Sequence, residues 1–305
     1  GAAKTGTTKR GIGPVFADKV SYNGIRLFDI LDEVRFVEKL SVQLSIKNPI
    51  LQAFDLPPLD FDTVFKEKLV QVAQLRQYVR EPFGLIQETL KQQGTILLEG
   101  AQGALLDNNW GTYPFCTASI TLAGGAAAGI GIAPRWIEQV VGVAKAYTTR
   151  VGAGPMPTEL LDADGEVLLR EGQEYGTVTG RPRRCGWFDA ELVRFTCQIN
   201  GVTDLALTKL DVLDTLPQVK ICTGYRHPDD PERIFHYWEG DAHWLEACQP
   251  EYITLPGWQQ PTKAVRRFSD LPIQAPAYVY EIEALVGAPV RWVSVGPGRD
   301  ETIER

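Results

Sequence analysis

Three arginines fall within four positions, Arg181, Arg183 and Arg184, in the segment Gly176-Thr177-Val178-Thr179-Gly180-Arg181-Pro182-Arg183-Arg184. Guanidinium forks hold carboxylates and phosphates bidentately, and each such bond contributes roughly 1.5–3 kcal/mol where water is excluded. On a helix a charged run is ordinarily a solvated face. Here glycines flank it and Pro182 stiffens its centre, which describes a loop that closes on an anion. A second candidate is Thr208-Lys209-Leu210-Asp211, directly after the apolar run Asp204–Leu207. A carboxylate such as Asp211 accepts from both guanine N1–H and N2–H₂, a donor pair that adenine lacks, and the methylene stem of Lys209 can lie along a base. Four residues make a weak motif alone, because many strands end in polar residues. The third is Gln102, between Gly100 and Gly103, whose amide both donates and accepts and so suits a base with adjacent N–H and C=O groups. A turn glutamine satisfying its own backbone fits the local sequence equally well.

Elements must hold these groups. Thr95–Leu98 is a short apolar run after Gly94 and reads as a buried strand ending near Gln102. Val140–Thr149 reads as a second, ending in Thr149-Arg150-Val151-Gly152-Ala153-Gly154-Pro155. Asp204–Leu207 and Val290–Val293 read as further strands, the latter running into Ser294-Val295-Gly296. Glycine-rich strand ends of this kind describe an α/β fold with a mostly parallel central sheet and a ligand crevice at the carboxyl ends. Helical spacing appears in Phe65, Leu69, Val72, Leu75 and Val79, with Asp60 or Asp62 as N-cap and Pro82 as breaker. A short helix then closes at Gly94. Phe188, Leu192, Phe195 and Ile199 give another, stopped by Gly201, and Tyr278–Leu285 a last one. Gly124–Gly129 is a small-residue run suited to tight packing. Residues 222–251 hold all three histidines, His227, His236 and His243, without ligand spacing, and read as a loop insertion.

The 305 residues suffice for one large domain or two ordinary ones. Apolar content of 44% and charged content of 23% are those of a soluble globular protein. No run reaches the ~18 apolar residues of a membrane span. Five scattered cysteines without CxxC fit a reducing cytoplasm, and a net charge of −7 argues against general nucleic-acid binding. Gly6-Thr7-Thr8-Lys9-Arg10-Gly11 is a basic glycine loop able to hold a phosphate, but it is no Walker A loop, since Ile12 stands where the lysine belongs.

The phrases EGAQG-LLD, GTYPF-TAS and AGG, in that order within Thr95–Gly125, resemble the adenylosuccinate synthetase family, the IMP–aspartate ligases. The likeness runs from Gly6 to about Thr302, a single synthetase domain over 1–305. It implies a P-loop-NTPase-like fold and GTP-dependent, Mg²⁺-dependent ligation of L-aspartate to IMP in a cytoplasmic homodimer. GTP phosphorylates O6 of IMP, and aspartate then displaces that phosphate. Carried over residue by residue, Gln102 positions the IMP base in catalysis, and Thr8, Thr117, Val151 and Arg181 contact IMP. The loop Thr177, Val178, Thr179, Gly180, Arg181, Pro182 and Arg183 binds aspartate, with Arg183 also beside GTP. Lys209, Leu210 and Asp211 resemble the guanine-reading motif of GTP-binding proteins, with threonine for the usual asparagine, and Ser294, Val295 and Gly296 pack on the base.

Two departures stand out. Tyr22 occupies the position of an arginine that reaches a partner subunit's IMP phosphate, so that contact is in doubt. No Gly-Asp-Glu-Gly-Lys-like loop occurs in the chain. The family's catalytic aspartate, later histidine and Mg²⁺ ligands belong to that upstream segment, as do the first strands of the sheet. A synthetase fragment, inactive by itself and marginally soluble with exposed sheet edges, is the expectation. Two rivals are a non-catalytic purine-nucleotide-binding or scaffold homologue and a Rossmann-like oxidoreductase. The latter lacks any strand–GxGxxG–helix unit here.

Overall fold

The computed structural model describes residues 9–176, 180–236, 238 and 240–305. The chain divides into two compact units, Lys9–Leu97 and the part from Leu98 to Arg305.

The first unit is helical: α1 (Ile12–Val20), α2 (Leu27–Ile30), α3 (Glu33–Ala53), α4 (Phe61–Leu75) and α5 (Phe83–Lys91). Asp60 caps α4 as expected, accepting from the Thr63 N–H at 2.8 Å. Pro82 precedes α5, and the Gly94 N–H closes it on the Thr89 carbonyl at 2.8 Å. The 21-residue α3 was not read from the sequence, although Phe36, Leu40 and Leu44 repeat every four residues and are its buried face. They pack with Phe61 and Phe65, and Phe36 stacks on Phe65 at 5.5 Å between centroids. Leu40→Val removes one buried methylene and is expected to cost about 1 kcal/mol. A denaturant titration followed by circular dichroism reads that loss.

The second unit contains α6 (Ala123–Ile130), β1 (Val141–Lys145), β2 (Thr148–Arg150), α7 (Ala163–Glu171), β3 (Arg184–Gly186), β4 (Phe188–Asp189), α8 (Ala190–Asn200), β5 (Asp204–Thr208), β6 (Gln218–His227), β7 (Asp230–Phe235), α9 (Ala242–Ala247), β8 (Gln249–Pro256), α10 (Gln274–Val286), β9 (Val290–Ser294) and β10 (Thr302–Glu304). The main sheet has the order β1-β5-β9-β10, with β1, β5 and β9 parallel and β10 antiparallel. The α/β expectation with a mostly parallel sheet and flanking helices holds for this layer. Its core is apolar: Leu205, Leu207, Val290 and Val293 pack with Tyr278, Val279 and Ile282 of α10. A second sheet is built on β6, which runs parallel to β4 and antiparallel to β7 and β8.

Three expectations are corrected. Thr95–Leu98 is not a strand: strands exist by pairing, no described segment pairs with it, and Leu97 is 88% exposed. Val140–Thr149 is two strands, because the chain leaves the main sheet after Lys145, turns through Ala146 and Tyr147, and pairs β2 with β3. Residues 222–251 are not a loop insertion: β6, β7, α9 and β8 occupy them, around a core of Cys222, Tyr225, Trp238 and Leu245. The small-residue run forms α6, where a side chain on Gly125 would meet Ile120 Cγ2 at 2.4 Å.

Candidate active site

Parallel pairing brings three strand ends together. Lys145 of β1 lies opposite Thr208 of β5, and Leu207 opposite Val293 of β9. Lys209–Asp211 and Ser294–Gly296 therefore emerge side by side, where ligands of open α/β sheets bind. Lys209 turns the chain at a φ of 62°, a left-handed conformation that costs a lysine energy and that clusters at functional sites. Leu210 is wholly buried and anchors the turn. Asp211 Oδ1 is buried and has no hydrogen-bond partner among the described residues. Burial raises its carboxyl above the usual range, and the charge of Asp214 adds to this. Asp214 itself is fully occupied, accepting from Trp258 Nε1 at 2.7 Å and from the Thr262 N–H and hydroxyl at 2.7 and 2.9 Å. Only Asp211 of the two has an oxygen left to accept from a ligand. On the β9 side, the Ser294 hydroxyl donates to the Gly296 carbonyl at 2.7 Å, and a side chain on Gly296 would meet the Glu301 carboxylate at 2.5 Å.

Lys209 leads to a residue the sequence reading missed. Its ammonium donates to Glu174 Oε1 at 2.8 Å. The wholly buried Glu174 also accepts from Lys145 at 2.8 Å, Arg183 at 2.6 Å and Tyr147 at 2.6 Å. Burial alone would raise this carboxyl, but the bonds from Lys145, Lys209 and Tyr147 hold it at about 2. Burial in turn lowers the Lys145 ammonium. An acid with a depressed folded pKa stabilises fully above its unfolded value and loses that contribution as the pH falls towards the folded one. Stability is thus expected to drop by about 3 kcal/mol between roughly pH 4.5 and 2. The acid limb of a pH-dependent denaturant series measures this, and Glu174→Gln is expected to flatten it. Asp189, the N-cap of α8, works in the opposite sense. Burial raises it to about 6, so its contribution fades as the pH rises from 3.8 towards 6.

The arginine loop has a closed stem. Arg183 N–H donates to the Glu174 carbonyl at 2.8 Å, Gly176 N–H to the Arg181 carbonyl at 2.8 Å, and Gly180 N–H to the Gly176 carbonyl at 2.7 Å. Gly180 has a φ of 63°, and Pro182 bridges to Tyr175. Of the three arginines, Arg184 is structural: it grips Glu159 through two bonds of 2.8 and 2.5 Å and donates to the Gly154 carbonyl at 2.7 Å. Thr177, Val178 and Thr179 lie outside the described residues, as does Thr8.

Gln102 lies in the loop around Asp107. Its φ is 66°, and its Oε1 accepts from the Ser119 hydroxyl at 3.4 Å. Ser119 in turn shares a hydrogen bond with Thr117 at 3.4 Å. The loop is shaped by the buried Asp107 carboxylate, which accepts from the N–H groups of Asn109, Trp110 and Thr121 at 2.9, 3.1 and 2.7 Å. Arg150 ties the end of β2 to the same loop through Thr112 Oγ1 at 2.9 Å and the Phe115 carbonyl at 3.0 Å. Burial, then the Arg184 charge, lowers the Arg150 guanidinium to about 10. Val151 follows it, 43% exposed. The structure thus gathers Gln102, Thr117 and the Arg150–Val151 strand end around one loop, and Lys209, Asp211, Ser294, Gly296 and Arg183 around the strand ends. Tyr22 is in the helical unit, 93% exposed at a φ of 64°. Among the described residues the histidines belong to no group placed to hold a metal ion: His227 stacks on Trp244, and His236 Nδ1 contacts the Thr223 carbonyl.

Against known proteins, the family model of adenylosuccinate synthetase matches residues 1–303. The chain is 49% identical to an adenylosuccinate synthetase of Geobacter metallireducens, covering 99% of this chain and 70% of that protein. It is 46% identical to one from Halothermothrix orenii, covering 100% of this chain and 71% of the other. The fully ligated adenylosuccinate synthetase of Plasmodium falciparum superposes with a TM-score of 0.93 at 33% identity, over 100% of this chain and 71% of that one.

Proposed function

Because the chain belongs to the adenylosuccinate synthetase family, GTP-dependent ligases of IMP and L-aspartate, we propose that Asp211 and Lys209 read the guanine of GTP while the Gln102 loop receives IMP. The orphaned Asp211 oxygen, buried beside Lys209 at the converged strand ends, carries this reading. A buried acceptor without a partner costs about 1–3 kcal/mol, and a base with two adjacent donors removes that cost. Lys209 holds its ammonium on Glu174, so its methylene stem is the part offered to the base. Ser294 and Gly296 close the opposite side. The Gln102 amide faces IMP, with Thr117 and Val151 beside it. Arg181 contacts IMP, and the Thr177–Arg183 loop takes the carboxylates of L-aspartate, with Arg183 reaching towards the nucleotide.

The family uses Mg²⁺ with GTP. Among the described residues no group of three His, Cys, Asp or Glu side chains is placed to hold a metal ion. No step assigned to these residues runs through that ion. Among the described residues no helix is long and apolar enough to cross a membrane. A homodimer in the cytoplasm is the assembly we assign on the strength of the family. Thermal shift tests the nucleotide assignment directly. GDP is expected to raise the melting temperature and ADP to leave it unmoved, whereas equal shifts would remove the guanine reading.

A further inference from the structure

We propose that Glu174 is a positioning residue that couples the guanine-reading end of β5 to the arginine loop, so that filling one strengthens the other. This rests on the assignment of Asp211 and Lys209 to guanine. The two oxygens of the carboxylate are divided between the two sides. Oε1 takes Lys209 at 2.8 Å, and Oε2 takes Arg183 at 2.6 Å. Lys145 spans both oxygens at 2.8 Å, and Tyr147 donates to Oε1. The backbone of Glu174 holds the loop as well, since its carbonyl accepts from the Arg183 N–H at 2.8 Å. One wholly buried side chain therefore fixes a residue of the strand end and a residue of the loop stem, 35 and 9 positions away in sequence.

The charges explain why this contact couples rather than merely supports. Lys145, Lys209 and Arg183 bring three positive charges to a single carboxylate. The surplus cations repel one another through a medium that screens them poorly. Their side chains are 25, 33 and 26% exposed, open enough to feel an incoming anion. A carboxylate ligand at the loop draws on that surplus and relieves repulsion on Lys209. A nucleotide against Lys209 in turn favours the ordered position of Arg183. Linkage makes the two effects equal.

Calorimetric titration of GDP into the chain, with and without saturating L-aspartate, tests this. The unmodified chain is expected to bind GDP roughly fivefold or more tightly in the presence of L-aspartate. In Glu174→Gln that gain should vanish and GDP alone should bind about tenfold more weakly. If the neutral variant does not fold, Glu174→Asp keeps the charge but reaches one methylene less far, and it should retain GDP binding with a reduced gain. An undiminished gain in the folded Gln variant, or in the Asp variant where the former does not fold, overturns the proposal. So does a chain that prefers GDP to ADP yet shows no effect of L-aspartate. A chain with no preference for GDP over ADP would instead defeat the guanine assignment beneath it.

Discussion

Asp211→Asn is expected to weaken GTP and GDP binding by about 10²–10³-fold and to admit xanthine nucleotides. The carboxylate offers two acceptors to the guanine N1–H and N2–H₂ edge. The amide offers one acceptor and one donor, which suits xanthine, where the 2-amino group is a carbonyl. Losing one charge-assisted bond and facing the N2–H₂ with another N–H is worth about 3–4 kcal/mol. Because Asp211 Oδ1 has no partner among the described residues, the substitution breaks no bond to them at that atom. The fold should therefore survive, and a stability loss matching the affinity loss would count against a role in base reading. Competition between GDP and XDP on the variant measures the switch.

Gly154→Ala is expected to cost about 2–4 kcal/mol of stability and to weaken IMP binding. Gly154 has a φ of 109°, which residues with a side chain rarely adopt. An added Cβ would meet the Arg150 guanidinium at 2.3 Å and Phe115 Cβ at 2.8 Å. The guanidinium has nowhere to retreat without leaving Thr112 and the Phe115 carbonyl. Those bonds join the end of β2 to the Gln102 loop, so displacing Arg150 disturbs Val151 and the proposed IMP side together. Gly129→Ala is the contrast: it lies in α6 with open space around it, and alanine there should be neutral or stabilising by up to about 1 kcal/mol. Parallel denaturant titrations of the two variants separate a conformational requirement from a general intolerance of alanine.

The strand ends that carry the proposed guanine site were legible in the sequence because their pattern is local. Lys209 and Asp211 follow a short apolar strand, and Val290–Val293 leads to Ser294–Gly296 in the same way. What the sequence does not display is the convergence on Glu174. Its partners Lys145, Arg183 and Lys209 lie 29, 9 and 35 residues away, and nothing in Glu-Gly-Gln-Glu-Tyr-Gly marks the second glutamate as buried. Burial and pairing of this kind are properties of the packed state. For the same reason the arginine run overstated its free charge, since Arg184 is committed to Glu159. Thr95–Leu98 misled in the other direction. Apolar character qualifies a segment for a strand, but pairing makes one. The three histidines drew the eye to 222–251 as an insertion, while the β-forming residues Val219, Ile221, Cys222 and Tyr225 were already in place for β6. Left-handed φ values at Gln102 and Lys209 are a signal that only coordinates supply.

The central claim is that Asp211 recognises two donors on one base edge. The affinity order of GDP, IDP and ADP, taken by calorimetry on the unmodified chain, tests it most directly. IDP keeps the N1–H and lacks the 2-amino group, so it should bind about 10–100-fold more weakly than GDP, with ADP weaker still. Equal binding of GDP and IDP, or binding of ADP as tight as either, would contradict it.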